Sequence, residues 1–267
     1  MTTALDTQSG TTATPKEIMA TVIANDLRDG EWVEVGANFP VPRAGALLAH
    51  LCHGPNMTVM FGFTKAYLCD VPVIEEFAFI TDVRAMRWGE AYYPHDQLLS
   101  EMRFRRRGVF FSGGIQLDRY GNSNLIGIGP DYQHLKFRGP GGIGTCNATL
   151  QNGRYHLVTT THNPNVLVER CDYVSAVGYG DGSPGFRERH GLPPRGPDSI
   201  VTPLCVFDFD EDRTAKVKSL HPGVTLEEVR EQTGFPIPDG DIATTKAPTA
   251  LQLDALRNRI DVIGALR

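Results

Sequence analysis

The sequence predicts an α/β fold, an open and mostly parallel sheet covered by helices. Helix, strand, helix and strand alternate at short intervals between Pro15 and Gly62, which is the pattern of parallel strands with covering helices. The run VFFS from Val109 to Ser112 is almost wholly apolar, as expected of a central strand buried on both faces. With 267 residues, 41% of them hydrophobic, the chain has length for one large core, and it shows no internal repeat or domain boundary. Residues 15–267 are therefore expected as a single domain behind a Thr-rich, disordered tail at 1–14.

The elements follow in order. Ile18, Met19, Val22, Ile23 and Leu27 recur at helical spacing. Thr14, Pro15 and Glu17 supply N-cap, first-turn proline and capping-box acid, and Gly30 stops the helix. EWVEVG from Glu31 to Gly36 reads as a strand, ANFPVPRAG leads into the short helix ALLAHLC, and MTVMFG from Met57 to Gly62 reads as a second strand. Ala78 to Ile80 is a further short strand, and the aromatic stretch from Trp88 to Pro94 looks irregular. Gln97 to Gly108 reads as a helix whose Arg103, Arg105, Arg106 and Arg107 complement the helix dipole, the alternative being contact with phosphates. Asp118 to Asn122 is a turn, Asn124 to Gly129 resumes a strand, and Arg154 to Thr160 is an alternating strand. The Gly- and Pro-rich region from Gly178 to Pro197 is a long irregular excursion. Val201 to Asp208 and Ala215 to Leu220 look like paired strands, Thr225 caps a helix, and ALQLDALRNRIDVIG ends the chain as an amphipathic segment.

Composition narrows the partners. A net charge of −5 with no basic stripe gives no case for nucleic acid, and no apolar run approaches the roughly 20 residues that span a bilayer. Cys52, Cys69, Cys146, Cys171 and Cys205 are odd in number and scattered, and neither they nor the eight histidines have metal-ligand spacing. Reduced thiols in a cytoplasmic protein, acting mainly as buried small hydrophobes, are the expectation, and no metal is expected.

Two glycine clusters punctuate the stretch from Phe110 to Thr145: Gly113 with Gly114, and Gly139, Gly141, Gly142 and Gly144. Glycine at this density presents backbone, so uncovered N–H groups can hold an anion or an oxyanion; turns and tight strand packing are the other reading. The first cluster follows the central strand, at the edge where open α/β sheets hold ligands. Gly139, Gly141 and Gly144 also satisfy G-x-G-x-x-G, but no strand–turn–helix context or later acid supports a dinucleotide.

Several strings resemble, across nearly the whole chain, the beta subunit of the class I, glutaconate-type coenzyme A transferases. They are GEWVEVG from Gly30, GGIQLDRYGNSN from Gly113 to Asn124, FRGPGG from Phe137, CDYVS from Cys171, DGSPGFRERHGLP from Asp181 and HPGV from His221. The resemblance implies a NagB/RpiA-like fold, an alpha-subunit partner in an α2β2 assembly, and an acyl-CoA substrate with no permanently bound cofactor. One departure stands out. Where the family places a nucleophilic glutamate, this chain has Val59, Met60, Phe61 and Gly62, and a thioether cannot form an acyl anhydride or an enzyme thioester. Asp70, Glu75 and Glu76 are the carboxylates that follow. A subset of the family with this loss, the two-subunit hydrolases of actinobacterial steroid degradation, is similar in this string. By that resemblance the chain takes part in hydrolytic C–C cleavage of a cyclic β-dicarbonyl CoA thioester in cholesterol catabolism, with the main acid and base on the partner. Backbone N–H groups of Gly141 and Gly142 are then the expected oxyanion donors, with Gly113, Gly114, Gln116, Asn122, Arg138, Met60 and Phe61 as substrate contacts. True CoA transfer and a non-catalytic structural role are the alternatives.

Overall fold

The computed structural model describes residues 12–36, 39–61, 65–67, 91–92, 107–142 and 144–267. Helix α1 (Pro15–Asp26) carries the predicted capping box: Thr14 Oγ1 accepts from the Glu17 N–H at 3.2 Å and the Thr14 N–H donates to Glu17 Oε2 at 2.8 Å. Glu17, 1% exposed, also receives Arg257, and Thr14 Oγ1 donates to the Leu266 carbonyl, so the helix start is fastened to the end of the chain. Strand β1 (Trp32–Val35) follows, then α2 (Pro40–Cys52). That helix is longer than expected because Pro40 and Pro42 form its first turn, where missing N–H donors cost nothing.

Strands β2 (Thr58–Phe61), β3 (Lys65–Tyr67) and β4 (Ala91–Tyr92) come next, so part of the stretch read as irregular is a strand. The strand at Ala78 to Ile80 and the helix at Gln97 to Gly108, with Arg103, Arg105 and Arg106, lie outside the described residues apart from Arg107 and Gly108, and Gly108 belongs to the next strand rather than to a helix. Strands β5 (Gly108–Ser112), β6 (Gln116–Asp118), β7 (Ser123–Asn124), β8 (Gly127–Ile128) and β9 (Phe137–Arg138) then lead to α3 (Thr145–Gln151). The predicted strand from Asn124 to Gly129 is thus two short pieces, split where the Asn124 side chain takes the Ile126 and Gly127 N–H groups away from a ladder. Strand β10 (Arg154–Val158) is buried along its whole length rather than alternating. Strand β11 (Leu167–Val168), the single turn α4 (Phe186–Arg189), β12 (Ser199–Val201), β13 (Cys205–Phe209), β14 (Ala215–Leu220), α5 (Leu226–Glu231), β15 (Ala243–Thr244) and α6 (Ala250–Ala255) complete the order. The expected strand from Val201 to Asp208 is broken at Thr202, whose hydroxyl accepts the Cys205 N–H and turns the chain back.

The described strands form a ten-stranded sheet in the order β15-β14-β13-β12-β10-β5-β1-β2-β3-β4. From β12 to β2 the neighbours are parallel, and antiparallel strands flank this centre on both sides. Val33, Val109 and Phe111 face α1, α2 and the chain's end; Phe110, Leu157 and Ile200 face the other way, toward Leu117, Ala148 and Phe235. Each Leu or Phe buried in this way contributes about 1.5–3 kcal/mol. Parallelism has a functional consequence: the carboxyl ends of β1, β2, β5, β10 and β12 emerge on one edge.

Candidate active site

At that edge the loops after β5 and β10 enclose an open cleft of about 500 Å³, lined among others by Phe39, Gly113, Gly114, Phe137, Thr159 and Asn163. Among the described residues the N–H groups of Gly113, Gly114 and Gly142 have no hydrogen-bond partner. Gly113 and Gly114 therefore present two successive uncovered donors on the cleft wall, the geometry that receives an anion or a developing oxyanion. Space requires glycine at 114 and leaves little room at 113. A Cβ on Gly114 would stand 2.6 Å from the Gln116 carbonyl oxygen, and one on Gly113 would be 3.2 Å from that of Val158.

Gly141 does not act as expected. Its N–H donates to the Leu125 carbonyl at 2.8 Å, which satisfies it within the chain and removes it as an oxyanion donor. Its φ of +88° explains the glycine instead. Gly142 is uncovered, and a Cβ there would meet nothing within 4 Å, so it faces open space. Neither residue is on the cleft wall. Arg138 is exposed on β9, where its guanidinium lies 5.4 Å from the Tyr132 ring centroid and donates to the Tyr132 hydroxyl at 3.2 Å.

Gln116 and Asn122 are also not where a substrate could reach them, being 5% and 3% exposed. Gln116 Oε1 accepts from Asn124 Nδ2 at 2.7 Å and from the Asp172 N–H at 2.9 Å. Asn122 Oδ1 accepts from the Gly178 N–H at 2.9 Å, and its Nδ2 donates to the Gly180 carbonyl at 2.7 Å. Between them Asp118 accepts from Tyr120, Asn122 and Cys171 N–H groups. Burial nevertheless pushes the Asp118 carboxyl up, against the pull of these donors. The string GGIQLDRYGNSN is a polar knot that holds β6, β7 and the loop from Cys171 to Gly182 in register behind the cleft.

Met60 is 2% exposed and sits within β2, level with Glu34 of β1 and Ala66 of β3. It is core, not pocket lining. Phe61 ends the strand at the carboxyl edge, while Phe63, Asp70, Glu75 and Glu76 lie outside the described residues. Of the thiols, Cys205 is buried and its pKa is pushed up to about 12 by that burial, which keeps it a thiol, but Cys52 and Cys146 are exposed, against expectation. Cys146 is on the outer side of the first turn of α3. Among the described residues no group of His, Cys, Asp and Glu could hold a metal, and no helix is long and apolar enough to cross a membrane.

Sequence reasoning missed Thr159, Thr160, Thr161, Asn163 and Asn165, which form the wall opposite Gly113. Their signal was available: TTTHNPN directly follows β10, at the ligand-bearing end of a parallel strand. His162 anchors this wall, its Nδ1 and Nε2 lying 2.9 Å and 3.0 Å from the Thr202 and Thr233 hydroxyls. Burial, with His221 nearby, pushes His162 down to about 4.

The sequence pattern of the family described as Coenzyme A transferase matches residues 16–232. The chain belongs to the coenzyme A transferase family. It is 30% identical over 263 residues to one of the subunits of glutaconate CoA-transferase from Acidaminococcus fermentans, covering 94% of each chain. It is equally 30% identical over 254 residues to the cholesterol ring-cleaving hydrolase IpdB subunit of Mycobacterium tuberculosis, covering 93% of this chain and 95% of that protein. The crystal structure of the Acidaminococcus transferase superposes with a TM-score of 0.84 at 28% identity, covering 95% of this chain and 96% of that one. The α/β fold expected from the sequence is the fold observed.

Proposed function

We propose that this chain is the beta subunit of a two-subunit acyl-CoA hydrolase that opens a steroid-derived ring by hydrolytic C–C cleavage. One observation carries the reading: the strand string that should supply a nucleophilic carboxylate holds Met60, and Met60 is buried in the core. The 30% identity to a cholesterol ring-cleaving hydrolase subunit supports it.

In this reading water adds to a ring ketone of a cyclic β-dicarbonyl CoA thioester, the bond to the neighbouring carbon breaks, and the carbanion released is protonated. The Gly113 and Gly114 N–H groups hold the oxyanion, which strengthens as charge develops. Phe39, Ile115, Phe137 and Val158 give the cleft an apolar side suited to a polycyclic acyl group. Gly142 and Arg138 meet the CoA moiety, with Arg138 on a phosphate or carboxylate. The acid and base come from the alpha subunit, coenzyme A enters only as part of the substrate, and the complex works in the cytoplasm as α2β2.

A second reading is CoA transfer to a carboxylic acid, favoured by the equal identity to a glutaconate CoA-transferase chain. The two separate in ¹⁸O-labelled water. The assembled complex, given a cyclic β-dicarbonyl CoA thioester, is expected to place one ¹⁸O in a new carboxylate while the thioester stays intact. Movement of CoA to an added acceptor acid, without label in the ring-derived product, would overturn the hydrolase reading.

A further inference from the structure

The glycine cleft presents two successive N–H groups, and strand β7 decides where they end. The Asn124 carbonyl accepts the Ile115 N–H at 2.8 Å, so the free donors stop at Gly114. One residue earlier on the same strand, the Ser123 hydroxyl donates to the Gly113 carbonyl at 2.6 Å. That carbonyl and the Gly114 N–H belong to one peptide unit, which is planar and trans. With the carbonyl directed at buried Ser123, the N–H is directed the opposite way, to the cleft that Gly114 lines. Ser123 itself is 0% exposed and has no route to a substrate. Its main chain is clamped on the far side, the N–H donating to the Ala176 carbonyl at 3.0 Å and the carbonyl accepting from the Ser175 N–H at 2.7 Å. The hydroxyl is thus carried on fixed backbone. It also stands 2.8 Å from the place a Gly114 Cβ would take, and Ser112 Oγ makes a longer contact of 3.3 Å to the same Gly113 carbonyl.

We propose that Ser123 is a positioning residue for the oxyanion: its hydroxyl, bound to the Gly113 carbonyl, aims and strengthens the Gly114 N–H that receives the developing charge. The inference rests on the oxyanion role given above to Gly113 and Gly114. Two effects carry it. The first is orientation, because glycine on both sides leaves this peptide unit unusually free to turn, and the bond from Ser123 fixes its plane. The second is polarisation. A hydrogen bond accepted at the carbonyl draws electron density across the amide and makes the N–H of the same unit a stronger donor, by roughly 10–30% per bond. Ser123 neither gives up its proton nor touches the reacting atoms. A purely structural tie would stabilise the fold and leave the chemical step alone. A positioning role acts on charge that appears only in the transition state, so its loss falls on kcat and spares KM.

The test compares assembled two-subunit complexes carrying the parent beta subunit, S123A or S123C, with glycine of the beta subunit labelled by ¹⁵N and by ¹³C at the carbonyl. The chain has two Gly–Gly pairs, Gly113 with Gly114 and Gly141 with Gly142, so a carbonyl-to-amide NMR correlation reports on this peptide and carries its own control. In S123A the Gly113 carbonyl carbon and the Gly114 amide proton are expected to move upfield while the Gly141–Gly142 correlation stays in place. S123C keeps a weaker donor and should fall between. With a cyclic β-dicarbonyl CoA thioester, kcat of S123A should fall about 10-fold at unchanged KM, short of the roughly 10²–10³-fold that removal of a whole oxyanion donor brings. An unmoved Gly113–Gly114 correlation would overturn the proposal, and so would a kcat equal to the parent's. If the parent complex opens no ring, the hydrolase reading falls, while the correlation still decides whether Ser123 governs the Gly114 N–H.

Discussion

The two glycine clusters of the stretch from Phe110 to Thr145 look alike in sequence and differ in what holds them. Gly113 and Gly114 end a buried central strand, are pressed against backbone carbonyls, and turn free N–H groups into a cleft. In the second cluster Gly139 is pressed against the Leu125 carbonyl, Gly141 donates its N–H to the same carbonyl, and Gly142 faces open space. The first cluster thus presents backbone donors to a cleft. The second is a loop whose outer side is available to a substrate or a partner chain. Glycine density marks backbone presentation, but only packing tells which backbone is presented to what.

The largest effect should come from the knot behind the first cluster. Asp118→Ala strips a 2% exposed acceptor from several N–H groups, and a loss of at least about 3 kcal/mol is expected in urea unfolding, with turnover lost through misplacement of Gly113 and Gly114. Near-parent stability would mean that the knot does not hold the cleft.

Acid should act next, through the opposite wall. The unfolded chain takes a proton on His162 at the ordinary 6.5, whereas the folded chain resists until about 4. Stability is therefore flat above about pH 6.5 with respect to this group and falls as pH drops through that window, by about 3 kcal/mol or less. His162→Gln should flatten the slope of unfolding free energy against pH there.

Gly114→Ala places a Cβ 2.6 Å from a backbone oxygen, and about 1–3 kcal/mol of destabilisation with a fall in kcat/KM is expected. Gly142→Ala is the smallest change, since nothing lies within 4 Å and its φ is not left-handed. A thermal melt should place it within about 0.5 kcal/mol of the parent, while KM for acyl-CoA rises. A large stability loss at Gly142 would erase the contrast between the clusters.

Much of this is legible in the residues. The capping box of α1, the apolar strand β5 and the glycines at its carboxyl end all follow from local pattern, and pattern is enough to set the fold and one wall of the cleft. Gln116 and Asn122 escape such reading because sequence shows a polar side chain but not its partner, and their partners, at Asp172 and Gly178, are far along the chain. Met60 escapes it for the same reason, since burial within a strand depends on the neighbouring strands β1 and β3. The ion-pair tie of Asp26, Arg154, His156 and Ser199 has no local signal at all. Two strands, β10 and β12, and the end of helix α1 bring it together.

Covalent trapping tests most directly whether this chain binds and polarises without forming a bond to the substrate at the glycine cleft. The assembled complex would be quenched with borohydride or hydroxylamine during turnover of the acyl-CoA and the intact beta subunit weighed by mass spectrometry. The account predicts an unmodified mass with ring-opened product accumulating in the absence of any acceptor acid. A beta subunit carrying the mass of coenzyme A, or a hydroxamate at any of its carboxylates, would contradict it.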